Sequence, residues 1–220
     1  YVGDQRYRFF QEVVLGIGGI RLLEEMGLEI EKYHLNESHS SMLALELLKQ
    51  NGMEPEKVKE VCAFTTHTPE KAGHDSFSYD LVSDVLRDYM PVSKLQELSK
   101  KDSFDMTTLA LNLSGYVNAV SRRHAEVSRE MFPEYELDSI TNGVHVPRWI
   151  SDEIAEVYDK HLPGWRKDPY KLRQAIRLPE KEIWDAHVSA KKKLIDYVNS
   201  ETPATMHEDV FTMGFARRAT

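Results

Sequence analysis

The segment VCAFTT, residues 61–66, is the feature that most constrains the fold. It is apolar and β-branched, which is typical of a strand buried on both faces in a parallel sheet. A polar loop and a helical pattern follow it, and a shorter strand pattern at residues 32–35 is followed in the same way. This repetition predicts an α/β fold with a parallel sheet flanked by helices. In such sheets ligands bind at the carboxyl ends of the strands.

Helical periodicity covers most of the remaining chain. The run GIGG, residues 16–19, lies inside the first helical pattern without a preceding strand, so we interpret it as close helix packing and not as a dinucleotide-binding loop. ETPATMHED, residues 201–209, is typical of a linker, and VFTMGFA, residues 210–216, predicts a buried strand. The predicted helices cover residues 4–26, 40–49, 55–60, 77–90, 92–100, 106–131, 151–160 and 179–200.

Composition limits the classes of function. The 220 residues are 41% hydrophobic and 29% charged, as in a soluble domain with a sizeable core. The net charge of -8 and the pI of 5.6 argue against a broad nucleic-acid or anionic-membrane surface. The longest run of apolar residues and glycine, Val13 to Ile20, is too short to span a bilayer. The single Cys62 excludes an internal disulfide and favours a reducing compartment, so we expect a cytoplasmic protein.

Two histidines and an aspartate lie in the loop after the 61–66 strand, namely His67, His74 and Asp75. The spacing of the histidines and the lack of a cysteine in the loop do not fit a zinc site. Three threonines around His67 supply short hydrogen-bonding groups that suit a ligand with many hydroxyls. On these residues alone, a solvated or helix-capping histidine stays open as the alternative.

The loop NESHS, after the shorter strand, carries Glu37 and His39. Capping of the next helix explains these residues locally, and capping is compatible with ligand contact. A carboxylate pair for glycoside hydrolysis, formed by Glu37 with Asp75 or Glu70, is a rival interpretation.

Four further polar residues have both a local and a functional interpretation. Asn142 begins the Asn-Gly turn of ITNGVHVP, for which turn formation alone is sufficient. Asn118 lies within the predicted helix of residues 106–131, where a buried structural role and a surface position are both open. Arg217 and Arg218 follow the last predicted strand. Two fixed cations there suit phosphate, although a basic strand terminus is as good a local explanation.

Five motifs resemble the α-glucan (glycogen/maltodextrin) phosphorylase family, and they occur in the family's order: HLNESHSSMLALELL, AFTTHTPEKAGHDSF, SGYVNAVSRRHAEVSREMF, SITNGVHVPRW and FTMGFARRAT. They cover nearly the whole chain and resemble the bacterial and archaeal branch. The resemblance implies a glycosyltransferase-B fold, of which this chain would be an incomplete Rossmann-like half. It also implies reversible phosphorolysis, in which orthophosphate displaces the terminal glucose of an α-1,4-glucan and gives glucose 1-phosphate. Pyridoxal 5′-phosphate would assist through its phosphate group, so that no protein carboxylate pair is required.

The resemblance assigns sugar contacts to three residues. His67, an expected catalytic residue, matches the histidine whose main-chain carbonyl faces the reacting sugar and whose ring reaches the primary hydroxyl. Asn142 matches the asparagine that hydrogen-bonds the same hydroxyl, and Asn118 matches a helix asparagine near the pocket. Animal members have glycine and asparagine where this chain has Ala119 and Thr66.

The resemblance also assigns an acceptor side and a phosphate site. Glu37 and His39 match acidic and histidine positions that line the acceptor side, and Asp75 falls near that side. Arg217 and Arg218 match a basic pair, of which the second binds phosphate and is expected to act in catalysis. Fixed cations stabilise the charge that develops on phosphate and on the leaving oxygen.

The implied domain organisation is incomplete. Residues 1–205 would be the later part of the N-terminal glucan-binding domain, and residues 206–220 would contain the first strand of the C-terminal cofactor and phosphate domain. The family's glycine loop would precede Tyr1, and the lysine that forms a Schiff base with the cofactor would follow Thr220. We therefore expect a fragment that is inactive alone and binds no cofactor covalently.

Two other classes of protein stay open. One is a glycogen- or starch-synthase-like transferase that uses a nucleotide sugar, and the other is a non-catalytic α-glucan-binding module. The expected partners are α-1,4-glucan and either orthophosphate or glucose 1-phosphate, and the possibility of a homo-oligomer stays open. Nucleic acid, membranes and bound metal are not expected.

Overall fold

The computed structural model describes residues 4–70, 73–99 and 102–216. The chain divides into two compact units, Tyr1–Asn142 and Gly143–Thr220. The first unit contains a parallel four-stranded sheet flanked by helices, so the predicted fold class is confirmed.

The first unit contains eight α-helices and six strands in its described residues. The helices are α1 (Gln5–Val13), α2 (Gly19–Glu25), α3 (Met42–Gln50), α4 (Pro55–Val61), α5 (Tyr79–Leu86), α6 (Val92–Ser99), α7 (Met106–Leu113) and α8 (Arg122–Met131). The strands are β1 (Tyr33–Asn36), β2 (Cys62–Thr66), β3 (Ser76–Phe77), β4 (Phe104–Asp105), β5 (Tyr116–Ala119) and β6 (Asp138–Ser139). Short 3₁₀ helices span Ser38–Ser40 and Arg87–Tyr89.

The main sheet has the strand order β1-β2-β5-β6, and all its pairs are parallel. One row of the register joins Asn36, Thr65, Asn118 and Asp138 across the four strands. Strand β2 is central and buried, as its apolar sequence predicts, and its Phe64 is fully buried. The strands β3 and β4 form a separate antiparallel pair.

The prediction of one helix over residues 106–131 is wrong. That segment forms α7, β5 and α8, and Asn118 lies in the central strand β5. The predicted helices at residues 40–49 and 55–60 correspond to α3 and α4, with Pro55 at the first turn of α4.

Gly115 lies between α7 and β5, and Ser121 lies between β5 and α8. Gly115 lies so close to α4 that a Cβ atom there would be 2.4 Å from the main-chain oxygen of Lys59. The Gly115 N–H donates to the main-chain oxygen of Cys62, which starts the pairing of β5 with β2. The Ser121 side chain accepts a hydrogen bond from the His124 N–H and so caps the start of α8.

Helices α1 and α2 are joined through a π-helical turn, Val14–Gly18, that contains most of the GIGG run. A Cβ atom on Gly16 would lie 2.5 Å from the main-chain nitrogen of Leu43 and 2.6 Å from the Cβ of Met42. Gly16 therefore allows close contact with α3, as predicted from the sequence, whereas Gly19 has no atom within 4 Å of its Cβ position.

The second unit is helical in its described part. It contains α9 (Val146–Trp149), α10 (Asp152–His161), a 3₁₀ segment (Pro169–Arg177) and α11 (Glu180–Glu201). Its small core surrounds Trp165, whose indole N–H donates to Asp159 Oδ1 at 2.8 Å.

The strand predicted from Val210 is not formed. Residues 210–216 have no regular secondary structure, and Phe211, Met213 and Phe215 are exposed. A strand is stable only when it pairs with a neighbour. The predicted domain boundary between residues 205 and 206 stays a prediction. In the described part of the chain, no helix is long and apolar enough to cross a membrane.

We expect Gly16→Ala to destabilise the chain by about 1–3 kcal/mol, because the new methyl group would overlap the α3 backbone, which cannot move aside as a flexible side chain could. Gly19→Ala is the matched control. It should leave stability unchanged or raise it by up to about 1 kcal/mol, through the helix propensity of alanine. Denaturant unfolding measures both values, and equal stability of the two variants would contradict the close packing at Gly16.

Candidate functional site

The carboxyl ends of the four parallel strands meet at one edge of the main sheet. Glu37 follows β1, His67 follows β2, and residues 140–142 follow β6. The Ile140 N–H donates to the Ala119 oxygen and the Asn142 N–H donates to the Val120 oxygen, so this last segment continues alongside β5. The structure therefore places Glu37, His67 and Asn142 at the sheet edge where ligands bind in such folds. The roles assigned to them from the resemblance stay predictions.

Glu37 is buried and connects the ends of β1 and β2. Its Oε2 accepts a hydrogen bond from the His67 N–H at 2.7 Å and another from the Thr68 hydroxyl at 2.8 Å. Its Oε1 accepts from the Ser38 N–H at 3.1 Å, which caps the following 3₁₀ turn. The Glu37 N–H donates to the Thr65 oxygen. The carboxylate is thus held by donors of the protein itself.

His67 and Asn142 are both exposed at this edge. Asn118, in contrast, is buried in β5, and its Oδ1 accepts a hydrogen bond from the Thr65 hydroxyl at 2.8 Å. The same hydroxyl lies 2.7 Å from His34 Nε2, so a polar chain crosses three strands. The expectation of a helix asparagine is corrected here, because Asn118 is a strand residue that joins β5 to β2.

His74 differs from His67 in its surroundings. Its Nδ1 lies 2.8 Å from the Thr107 hydroxyl, and its ring meets Phe132 edge-on at 5.4 Å between centroids. These contacts attach the loop to α7 and to the residue that follows α8, which fits a scaffolding role.

A second polar cluster joins the same loop to α1. Arg8 Nη2 donates to Asp75 Oδ2 at 2.6 Å, and it lies 3.2 Å from Glu12 Oε1 and 2.8 Å from His39 Nδ1. His39 Nδ1 is also 3.3 Å from Asp75 Oδ2. If His39 is neutral and its Nδ1 carries no proton, Nδ1 accepts a hydrogen bond from Arg8. If His39 is protonated, its Nδ1–H donates a hydrogen bond to Asp75 instead. His39 and Asp75 were predicted from the sequence, whereas Arg8 and Glu12 were not.

The ligand-type atoms of Glu12, His39 and Asp75 lie within 4.8 Å of one another, as in a metal site. The Arg8 Nη2 atom, however, lies between 2.6 and 3.2 Å from one such atom of each residue. The guanidinium therefore occupies the position that a metal ion would need, and we assign no metal to this cluster.

In this cluster the pKa values of Glu12 and His39 are raised, and the pKa of Asp75 is lowered. Burial raises the pKa of Glu12 from 4.5 to about 7, although the hydrogen bond with His39 opposes the rise. Asp75 and then Glu12 raise the pKa of His39 from 6.5 to about 9. Hydrogen bonding to His39 lowers the pKa of Asp75 well below its ordinary range, and Arg8 acts in the same direction against the effect of burial. Asp75 is therefore ionised at neutral pH.

The contacts of Glu37 and Asp75 do not favour the glycoside-hydrolase interpretation. A hydrolase of that kind needs one protonated carboxyl as general acid and one free carboxylate. Glu37 accepts three hydrogen bonds from the protein, and Asp75 has a lowered pKa and binds Arg8. The predicted phosphate residues Arg217 and Arg218 lie outside the described residues.

The raised pKa of Glu12 predicts how stability depends on pH. Between pH 4.5 and pH 7 the unfolded chain ionises at Glu12 before the folded chain does, so stability falls as the pH rises. The stabilisation from His39 is complete below pH 6.5 and is lost as the pH rises through about 9, which acts in the same direction. Glu12→Gln removes the first effect and weakens the second.

We therefore expect the free energy of unfolding of Glu12→Gln, relative to the unmodified chain, to rise by up to about 3 kcal/mol from pH 4.5 to pH 8, since one pKa unit corresponds to about 1.4 kcal/mol. Urea titrations across this range measure it. Glu25→Gln, at an exposed position on α2, is the control and should follow the unmodified chain. Parallel curves for Glu12→Gln and the unmodified chain would show that Glu12 has no raised pKa.

Curated relatives of this chain include phosphorylases of bacteria and archaea, although no protein-family model matches it. Glycogen phosphorylase of Aquifex aeolicus is 32% identical over 100% of this chain and 38% of its own length. Maltodextrin phosphorylase of Thermococcus litoralis is 32% identical over 96% of this chain and 30% of its own length.

Glycogen phosphorylase of Mycobacterium tuberculosis is 28% identical over 99% of this chain and 32% of its own length. The chain therefore spans between 30% and 38% of the length of these relatives. The similarity extends over nearly all of the chain, including the sheet edge that carries Glu37, His67 and Asn142. Nearly the whole chain is therefore homologous to a part of the glycogen and maltodextrin (α-glucan) phosphorylases of bacteria and archaea.

Proposed function

We propose that this chain forms one wall of the sugar site in an enzyme that carries out reversible phosphorolysis of α-1,4-glucans such as glycogen or maltodextrin. The products are glucose 1-phosphate and a glucan shortened by one glucose. The observation that carries the proposal is the similarity of nearly the whole chain to phosphorylases, combined with the exposed His67 and Asn142 at the carboxyl edge of the parallel sheet.

In this proposal His67 and Asn142 bind the reacting glucose. The main-chain carbonyl and the ring of His67 face the sugar, and the Asn142 amide, which offers both donors and an acceptor, hydrogen-bonds its primary hydroxyl. Asn118 supports these residues from within β5, because its side chain is already bonded to Thr65 and to the Ala119 oxygen. His39 and Asp75 face the acceptor side of the glucan, from the cluster with Arg8.

The phosphate chemistry belongs to groups outside the described residues. Arg217 and Arg218 would bind orthophosphate and stabilise the charge that develops during transfer. Pyridoxal 5′-phosphate would supply a phosphate group that exchanges a proton with the substrate phosphate. A lysine that forms a Schiff base is activated by desolvation. No described lysine is buried, so the described residues offer no attachment point for this cofactor.

We place the reaction in the cytoplasm, because a chain with the single, buried Cys62 needs no oxidising compartment. The full activity requires the remaining length that the relatives have, so the tests below use the full-length protein that contains this chain.

The proposed reaction is tested by incubation of the full-length protein with maltodextrin and orthophosphate. We expect glucose 1-phosphate to form, and we expect chain elongation in the reverse direction from glucose 1-phosphate. Omission of orthophosphate is the control and should abolish product. Transfer that occurs only with ADP-glucose or UDP-glucose would instead identify a synthase-like transferase. Glucan binding without turnover of either donor would identify a binding module.

We expect His67→Ala to lower kcat for phosphorolysis roughly 10- to 100-fold, as for the loss of a hydrogen bond that stabilises the transition state. The melting temperature should change little, because the His67 side chain is exposed. His207→Ala, also at an exposed position, is the matched control and should keep full activity. A large fall in melting temperature with unchanged turnover would mean that His67 has only a structural role.

A further inference from the structure

We propose that Glu37 is a positioning residue, which fixes the turn that carries His67, and that it does not itself contact the glucan. This inference rests on the proposed function for its kinetic consequence, whereas its structural part stands on the contacts of the turn alone. It assigns Glu37 a different role from the acceptor-side contact that the family resemblance implies.

The backbone of Glu37 is held in an unusual conformation. Its φ of 69° and ψ of 170° lie in a region that residues with a side chain rarely adopt. Such a conformation costs on the order of 1–3 kcal/mol and persists only where surrounding contacts impose it. Here the Glu37 N–H donates to the Thr65 oxygen and continues the pairing of β1 with β2. The side chain is thereby directed at the end of β2.

The carboxylate of Glu37 has little capacity left for a ligand. An ionised carboxylate has about four acceptor positions, and Ser38, His67 and Thr68 occupy three of them. Glu37 is also only 7% exposed. A sugar hydroxyl would therefore find at most one acceptor position left, on a side chain that is almost wholly buried.

The two bonds to Oε2 determine the path of the chain as it leaves β2. The His67 N–H fixes the peptide between Thr66 and His67, and the Thr68 hydroxyl fixes the next residue to the same oxygen atom. The main-chain carbonyl of His67 lies between these two anchored groups in the chain. Because a misplacement of about 1 Å can lower the rate of an enzyme about 100-fold, loss of this anchor should affect the rate more than binding.

Two substitutions of Glu37 separate positioning from folding. Glu37→Gly removes the carboxylate and accepts the positive φ without strain, so the fold should be retained. Glu37→Gln keeps the shape of the side chain and one acceptor oxygen. Its NH₂ group, however, would face a backbone N–H and cannot accept a hydrogen bond from it. We expect kcat to be highest for the unmodified protein, lower for Glu37→Gln and lowest for Glu37→Gly, for which the decrease should be about 100-fold. The KM for maltodextrin should stay within about two-fold, since uniform binding is not changed.

The second measurement does not depend on activity. Hydrogen–deuterium exchange, followed by mass spectrometry on peptides that contain His67, reports whether its N–H is protected in the full-length protein. Exchange there should become faster in both Glu37 variants. Glu31→Gly and Glu31→Gln, at an exposed position before β1, are the matched controls and should change neither measurement.

The outcomes distinguish this proposal from the proposed function. A rise in KM with unchanged kcat and unchanged protection of His67 would show that Glu37 contacts glucan, and it would overturn the positioning role. A fall in melting temperature with unchanged kcat would also overturn it. If the unmodified protein forms no glucose 1-phosphate, the proposed function fails. The hydrogen–deuterium exchange measurement alone then tests whether Glu37 anchors the turn. Faster exchange at His67 then supports the anchor, and unchanged exchange refutes it.

Discussion

The pairing of strand β2 on both of its sides is the constraint on which the site depends. Because β1 and β5 are parallel to β2, the chain leaves all three strands at the same edge of the sheet. The Thr65 hydroxyl reinforces this alignment, since it bonds to Asn118 on one side and lies within hydrogen-bond distance of His34 on the other. A shift of one residue in either pair would break this polar chain and would turn the side chains of the shifted strand to the opposite face of the sheet.

Local sequence signals predicted much of this fold. The β-branched run of residues 61–66 and Pro55 at the start of α4 each act within a few residues, so their structure could be predicted from the sequence. Strand β5 could not be predicted in this way. Its four residues, Tyr-Val-Asn-Ala, are flanked by two helices, and so short a segment fits a helix as well as a strand. Pairing with β2, more than 50 residues earlier, decides between them.

In the candidate site, too, the local sequence predicts the position of some residues, whereas the position of others depends on contacts between distant parts of the chain. Glu37 and His67 follow strands directly, so their place at the sheet edge follows from the strand pattern. Arg8 and Glu12 belong to a helix that precedes the first strand, and tertiary packing alone brings them to Asp75. Their spacing of four residues on α1 is a common helical ion pair and gives no indication of the third partner. Burial, which raises the pKa of Glu12, is equally a property of the packed structure.

The short turn after β1 holds both ends of the loop after β2. Glu37 binds the start of that loop at His67 and Thr68, and His39, two residues further on, lies 3.3 Å from Asp75 near its end. Arg8 strengthens the second attachment, because a partly buried carboxylate is more stable when a donor or a cation compensates its charge. The position of the exposed His67 is therefore set by hydrogen bonds within the protein itself. In this arrangement a substitution in the turn after β1 would displace His67 and Asp75 together.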